Sequence, residues 1–181
     1  MKNVIRTLAV SGLLAFAAGA ASAQAPAQVT AQGNAQGNAQ VSVSYIEPER
    51  FSDLPFAPWE REEVLKDLTE HFTSLGAKLP PGQKLRIEVQ DVDLAGRMQP
   101  GRGMRELRII RNGAEWPRID LRYTLESNGQ VVSSGDAQLR DMAFMDRLSR
   151  YADGDTLRYE RRMIDDWFKN TILPRERAAQ R

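Results

Sequence analysis

The chain has 181 residues, of which 25 are basic and 24 acidic, and its net charge at pH 7 is +1. General binders of nucleic acids or anionic membranes need a strong positive field, so this near-neutral charge argues against both classes. It contains no cysteine, which excludes disulfide bonds, thiol catalysis and lipid attachment through an N-terminal cysteine. His71 is the single histidine, which excludes metal sites built from two histidines of one chain. We therefore predict neither a cofactor nor a resident metal.

Residues 1–23 have the three parts of a bacterial secretory signal peptide. A basic start without acidic residues precedes an apolar run from Leu8 to Ala21, and Ala21-Ser22-Ala23 matches a cleavage site of small residues. The run is shorter than the about 20 residues that a membrane-spanning helix needs. We expect cleavage after Ala23 and a periplasmic or secreted protein without stable membrane insertion. Cleavage removes two basic residues and no acidic one, which leaves a net charge of −1.

The next segment, residues 24–40, is predicted to be a disordered linker. It is rich in Ala, Gln, Gly and Asn, and it has no charged residue. Such a composition cannot bury enough apolar surface to offset the entropy lost on ordering. Residues 41–174 are then predicted to form a single domain, followed by a frayed tail over residues 175–181.

The first half of the domain is predicted to contain three strands and one helix. Apolar and polar residues alternate over residues 41–46, 84–94 and 106–111, as they do in half-buried strands. Glycines and Pro100 predict a loop between the second and third strands. Pro58, the acidic residues after it and an apolar stripe with spacings of three and four predict an amphipathic helix over residues 58–75.

A hairpin is predicted next. Residues 118–126 have the clearest alternation in the chain, and Asn128-Gly129 is a strong signal for a hairpin turn. A two-residue turn places Val132 opposite Leu125 on the buried face, and strict alternation from there would also bury an aspartate. We therefore predict a bulge near residues 133–135 that restores the alternation of the returning strand.

The last part of the domain is predicted to end in a second amphipathic helix, over residues 156–173. The segment before it, residues 141–151, is compatible with a short helix or a packed loop. The predicted fold class is α+β, with a two-layer, mostly antiparallel sheet of about five strands and both helices on one face.

Arginines concentrate between Gly96 and Tyr123, and a guanidinium group matches the geometry of carboxylate and phosphate. This region is the candidate anion-binding surface, and its members are Arg97, Arg102, Arg108, Arg118 and Arg122. Because they alternate with apolar neighbours, Arg108 and Arg122 are expected to point away from the helices, and their reversal to Glu should leave folding intact. The alternative is the ordinary solvated face of a sheet, in a chain with 20 arginines and 5 lysines.

Three acidic residues are the catalytic alternatives. Asp91 and Asp93 share one face of a strand, where they could approach a cation or pair with arginines, but the segment lacks the six or more oxygen ligands that Ca²⁺ takes. Glu160 lies on the apolar stripe of the last helix, where an ion pair with an arginine is favoured over catalysis. His71 is expected at the flank of the first helix's apolar face with no chemical role. The sequence contains neither a nucleophile elbow nor a phosphate-binding glycine loop.

Four segments together resemble a bacterial exported family called domain of unknown function 3016. They are Val43-Ser44-Tyr45, Arg118–Tyr123, Gly135–Met145 and Glu160–Phe168. The resemblance covers about residues 41–173. It implies an exported protein of uncharacterised role and transfers no catalytic residue.

Two hypotheses for the function follow. The first is a non-enzymatic periplasmic binding or adaptor protein whose partner is an envelope protein or an anionic ligand. The second is a periplasmic hydrolase that uses Asp91, Asp93 or Glu160. Enzymes concentrate titratable groups in a concave pocket, so scattered positions for these acids favour the first hypothesis. The oligomeric state stays open.

Overall fold

The computed structural model describes six stretches of the chain: residues 28–29, 40–101, 106–111, 113–148, 150–152 and 154–173. They form the predicted α+β fold, with two open sheets and two α-helices. The strands are β1 (Gln28–Val29), β2 (Val41–Ile46), β3 (Gln83–Asp93), β4 (Arg97–Pro100), β5 (Glu106–Ile109), β6 (Arg118–Ser127) and β7 (Gln130–Arg140). The helices are α1 (Pro58–Ser74) and α2 (Arg158–Trp167), and a π-helical turn over Phe168–Ile172 extends α2. No helix among these residues is both long and apolar enough to span a membrane.

The main sheet has the strand order β1-β2-β3-β6-β7. Only β2 and β3 run parallel, so the sheet is mostly antiparallel, as predicted. Strand β1 pairs Gln28 and Val29 with Ile46 and Tyr45, although it falls inside the predicted linker. Residues 1–27, 30–39 and 174–181 lie outside the described part of the chain, so the signal peptide, the linker and the frayed tail stay predictions.

The second sheet is a hairpin of β4 and β5, in which Arg97 pairs with Ile109 and Gln99 with Leu107. The loop predicted between the second and third strands is therefore wrong over residues 97–100. The glycines and proline around this segment indicated a loop, but its extended backbone finds partners in the next short strand.

The predicted bulge exists in β7. Leu125 pairs with Ser133 and Glu126 with Val131, which makes Val132 the extra residue. The pairing of Val132 with Leu125 expected from a regular hairpin is therefore wrong by one residue. The extra residue turns Leu139, which is buried, toward the core, as the alternation of the returning strand required.

A second bulge in β3 decides where two acidic side chains point. Val89 pairs with Leu121 and Asp91 with Asp120, so Gln90 is unpaired between them. Val89 is fully buried. The extra residue lets Asp91 and Asp93 share the face opposite the core after five residues of regular alternation.

The helices pack on the sheet through aromatic side chains. The Tyr45 hydroxyl donates a hydrogen bond to the backbone oxygen of Leu65 in α1. The rings of Tyr123 and Trp167 meet edge to face at 5.7 Å, and Trp167 also meets Phe72 of α1 at 6.5 Å. The strand register puts Tyr45 and Tyr123 on the same face of the sheet. The position of both helices as a whole on one face stays a prediction.

The segment before α2 is a series of turns held by a buried arginine. Arg162 donates hydrogen bonds to an Asp141 carboxylate oxygen at 2.8 Å and to the backbone oxygens of Phe144 and Arg147 at 2.7 and 2.6 Å. Phe144 is fully buried and meets the ring of Tyr159 at 4.8 Å. Of the two alternatives for this segment, the structure therefore has the packed loop.

Candidate functional site

Arg108 points into the structure rather than away from it. Its Nε donates to the backbone oxygen of Ala95 at 2.6 Å, and its terminal nitrogens donate to the backbone oxygen of Thr156 and to Glu160. Only 13 % of its side chain is exposed. The expectation that Arg108 faces away from the helices is therefore wrong. The hairpin that carries it packs beside the start of α2, so the polar side of β5 is covered there.

Glu160 forms the ion pair that the sequence favoured. It is fully buried, and its Oε1 accepts hydrogen bonds from Arg108 and, at 2.8 Å, from the backbone nitrogen of Ala95. A buried carboxylate without a cationic partner would carry a large desolvation cost, and Arg108 offsets it. The pair joins the β4–β5 hairpin to α2.

The other described members of the candidate anion-binding surface also face carboxylates. Arg122 lies on the exposed face of the sheet, 2.8 Å from an oxygen of Asp136. Arg118 pairs with Asp93, with its Nε at 2.8 Å, and Arg97 pairs with Glu115. These pairs neutralise charge that an anion would need. The fifth member, Arg102, lies outside the described residues, and anion binding by this surface stays a prediction.

Two of these pairs meet in a pocket of about 390 Å³. It is built by the segment before α1, the end of β3, the start of β4 and the connection between β5 and β6. We call it the Asp53 pocket, and the side chains that define it are Asp53, Asp93, Arg97, Glu115, Trp116 and Arg118.

Backbone contacts fix the walls of the Asp53 pocket. The backbone nitrogen of Asp53 donates to the Val92 oxygen at 3.1 Å. Ser52 donates to both carboxylate oxygens of Asp91, from its backbone nitrogen at 2.7 Å and from its hydroxyl at 2.6 Å. Asp91 therefore holds the segment that presents Asp53, and its own oxygens are occupied.

Gly96 lets the backbone of the pocket wall pass close to β5. Its φ is +82°, and a Cβ at this position would lie 2.5 Å from the backbone oxygen of Ile109. Its nitrogen donates to the backbone oxygen of Glu115 at 2.9 Å, which ties the two sides of the wall together. A larger residue would therefore be strained in backbone conformation and in space.

Two residues that line the pocket each have one polar atom without a hydrogen-bond partner among the described residues. The two atoms are Oδ2 of Asp53 and Nε1 of Trp116, and both are buried. Leaving such a group unsatisfied costs about 1–3 kcal/mol. Both residues line the pocket, so a ligand that reaches these two atoms with a complementary donor and acceptor would relieve both costs.

Burial raises the pKa of the Asp53 carboxyl above its ordinary value of 3.8. The negative charge of Asp93 raises it further, the positive charge of Arg108 lowers it, and Glu106 and Glu115 raise it. The pocket holds three carboxylates and two guanidinium groups, and both guanidinium groups are already paired. Asp53 is the one carboxylate of these three that is not paired with an arginine. The charges of the pocket therefore favour a ligand that donates hydrogen bonds or carries positive charge.

The three acids of the hydrolase hypothesis do not share this pocket. Asp93 lines it, Asp91 is bound by Ser52, and Glu160 is buried against Arg108. This scatter favours the non-enzymatic hypothesis. Within the part of the chain that the structure describes, no three His, Asp or Glu side chains are grouped to hold a metal ion.

His71 is buried between the helices rather than at the flank of one. Its Nε2 lies 3.2 Å from the backbone oxygen of Arg161 and 3.4 Å from Oδ1 of Asp165. Burial lowers the pKa of His71, and the charge of Asp165 opposes this effect. The residue therefore contributes a buried polar contact between α1 and α2.

Sequence reasoning found half of the Asp53 pocket. It selected Asp93, Arg97 and Arg118, and it missed Asp53, Glu115 and Trp116. The missed residues lie outside the named strands and helices, where no periodicity marks a face, and Asp53 reaches the pocket through an isolated bridge to Asp93. The sequence marks this region only by Trp116, an aromatic residue that lies between Glu115 and Pro117 and outside any predicted strand.

Comparison with known proteins gives one match. The model of a family described as "Protein of unknown function (DUF3016)" matches residues 39–170. No curated protein and no solved structure matches the chain. The match spans the whole region that carried the sequence resemblance apart from its last few residues, so the resemblance is confirmed.

Proposed function

We propose, from the premise that the chain belongs to the DUF3016 family of proteins of unknown function, that it is an exported cell-envelope protein that binds a ligand or partner without catalysing a reaction. Export rests on the signal features of residues 1–23. Binding rests on one observation above all. In the Asp53 pocket the charges are paired except for Asp53, whose Oδ2 has no hydrogen-bond partner in the described structure.

The ligand class follows from the groups that remain available. Asp53 offers a carboxylate oxygen to an N–H donor, and charge-assisted bonds of this kind are the stronger ones. The ring of Trp116, in the same pocket, attracts cations through its face. We therefore propose an alkylammonium or guanidinium group as the part of the ligand that enters. An anion on the arginines is the competing proposal.

Titration with small probes separates these proposals. In a ¹H–¹⁵N spectrum, the indole N–H signal of Trp116, assigned with Trp116→Phe, should shift saturably with methylguanidinium and with propylammonium. The shift should disappear in Asp53→Asn and persist in Asp146→Asn, which removes an exposed carboxylate elsewhere. A shift with inorganic phosphate alone would favour the arginines, and no saturable shift with either cation would contradict the pocket proposal.

Export has its own test. The intact mass of the protein recovered from the periplasm should correspond to a chain that begins at Gln24. A mass that retains residues 1–23, or recovery in the cytoplasm alone, would contradict export and leave the pocket proposal standing.

A further inference from the structure

Two aromatic side chains are exposed where the chain enters α1. Phe56 is 86 % exposed and Trp59 is 59 % exposed, and Pro58 begins the helix between them. Glu60 and Glu106 lie beside them. These four residues, Phe56, Trp59, Glu60 and Glu106, form what we call the aromatic–acidic patch.

The patch is held in place by hydrogen bonds. The backbone nitrogen of Phe56 donates to Oε2 of Glu106 at 2.7 Å, and the backbone nitrogen of Glu106 lies 3.5 Å from Oε2 of Glu60. Pro55, directly before Phe56, is buried, and Leu54 packs on the core. The turn is therefore anchored on both sides, and Phe56 projects from it. Interfaces are enriched in aromatic residues at such positions.

The acidic residues of the patch have no ionic partner in the described part of the chain. Neither Glu60 and Glu106 nor the neighbouring Glu62 and Glu63 lies within 4.0 Å of a basic nitrogen there, whereas pairs such as Arg108–Glu160 match charges elsewhere. Acids in the first turn of a helix complement its dipole, which accounts for Glu60. It does not account for Glu106, which comes from β5.

We propose that the aromatic–acidic patch docks a basic segment of a partner protein, in which arginine or lysine side chains flank apolar anchors. The apolar anchors cover Phe56 and Trp59, and the basic side chains meet Glu60 and Glu106. The same acids repel anionic lipid and nucleic acid, so a protein segment is the occupant that the charges favour.

This surface is separate from the Asp53 pocket, although the charge of Glu106 contributes to the raised pKa of Asp53. Phe56 and Trp59 do not line the pocket, and Asp53 is not one of the residues that form the patch. The two proposals can therefore fail independently. Asp53→Asn should leave docking unchanged, whereas loss of the two aromatic side chains should leave binding of methylguanidinium unchanged.

The test uses two synthetic peptides of equal length. In one, leucine and phenylalanine alternate with arginine, and in the other glutamate replaces each arginine. Fluorescence anisotropy with the full protein should show binding of the arginine peptide only. The double variant Phe56→Ala with Trp59→Ala should weaken it about tenfold or more, as expected for aromatic hot spots. Leu148→Ala is the matched control because Leu148 is an exposed large hydrophobic residue outside the patch, and it should have no effect.

Glu106→Gln separates charge from shape because Gln keeps an acceptor for the Phe56 nitrogen. It should weaken peptide binding and reduce the dependence on salt concentration. Equal binding of both peptides, or full binding by the double aromatic variant, would overturn the proposal. Concentration-dependent dimerisation of the protein that Trp59→Ala abolishes, without peptide binding, would also overturn it, because the occupant would then be a second copy.

Discussion

Glu160 and Asp53 are two carboxylates that feel the charge of the same arginine, and their situations differ. Glu160 is fully buried, and its Oε1 is hydrogen-bonded by Arg108 and by the backbone of Ala95, although its Oε2 has no hydrogen-bond partner among the described residues. Asp53 lines an open pocket, its Oδ2 has no partner in the described structure, and its pKa is raised. Arg108 therefore pairs with the buried Glu160 and joins the β4–β5 hairpin to α2, whereas Asp53 has no ionic partner within 4.0 Å among the described residues.

The largest effect is expected where the buried pair is broken. Arg108→Glu would place a second carboxylate beside Glu160 and remove the donors to Ala95 and Thr156. We expect a loss of about 3–5 kcal/mol, or failure to fold, because an uncompensated buried charge is costly. Urea denaturation measures the loss. A change below about 1 kcal/mol would mean that Arg108 is not the structural partner of Glu160.

Trp167 tests how firmly α2, which carries Glu160, is held on the sheet. Trp167→Ala should cost about 3–5 kcal/mol in the free energy of unfolding, the usual range for a buried large aromatic residue. Trp59→Ala is the matched control, since Trp59 is mostly exposed and its loss should cost under about 1 kcal/mol. Equal effects from both variants in thermal or urea denaturation would contradict the packing of α2.

Asp53 is expected to have a small effect on the stability of the fold, and this effect should depend on pH. Because the native pKa of Asp53 is raised, the folded protein binds this proton more tightly than the unfolded chain does. Stability from this group is therefore greatest below pH 3.8 and falls as pH rises toward the native pKa.

Asp53→Asn should consequently stabilise the protein slightly at neutral pH, by under about 1 kcal/mol since the site is partly exposed. The gain should vanish below pH 3.8. Denaturation curves of this variant and of Asp146→Asn across the acid range provide the check. A clear loss of stability at neutral pH would show that the Asp53 carboxylate is already satisfied.

The smallest effect is expected at the exposed pair. Arg122 and Asp136 have side chains that are 55 % and 64 % exposed, so Arg122→Glu should leave the stability of the fold almost unchanged. Retention on a phosphate matrix at low salt should also be unchanged if the arginine face is only solvated. Loss of retention in this folded variant would restore the anion-binding surface as a ligand site.

Particular residues show why the sequence predicts some of this arrangement and not the rest. Apolar periodicity locates α1 and the long strands. Strict alternation along β7 would bury Asp136, and this conflict predicts a bulge. Alternation in β5 shows on which side of the strand Arg108 lies, but not that the start of α2 covers that side. The pairing of β4 with β5 and the position of Asp53 beside the end of β3 depend on contacts between separate segments, and such contacts leave no periodic pattern in the sequence.

The most direct measurement is a pH titration of the Asp53 carboxyl by ¹³C NMR, assigned with Asp53→Asn and repeated with methylguanidinium. Without the cation, the pKa of Asp53 should lie above 3.8. With it, the pKa should fall, because a nearby positive charge favours the ionised form. A pKa at or below 3.8 that does not respond to the cation would contradict an available carboxylate in this pocket.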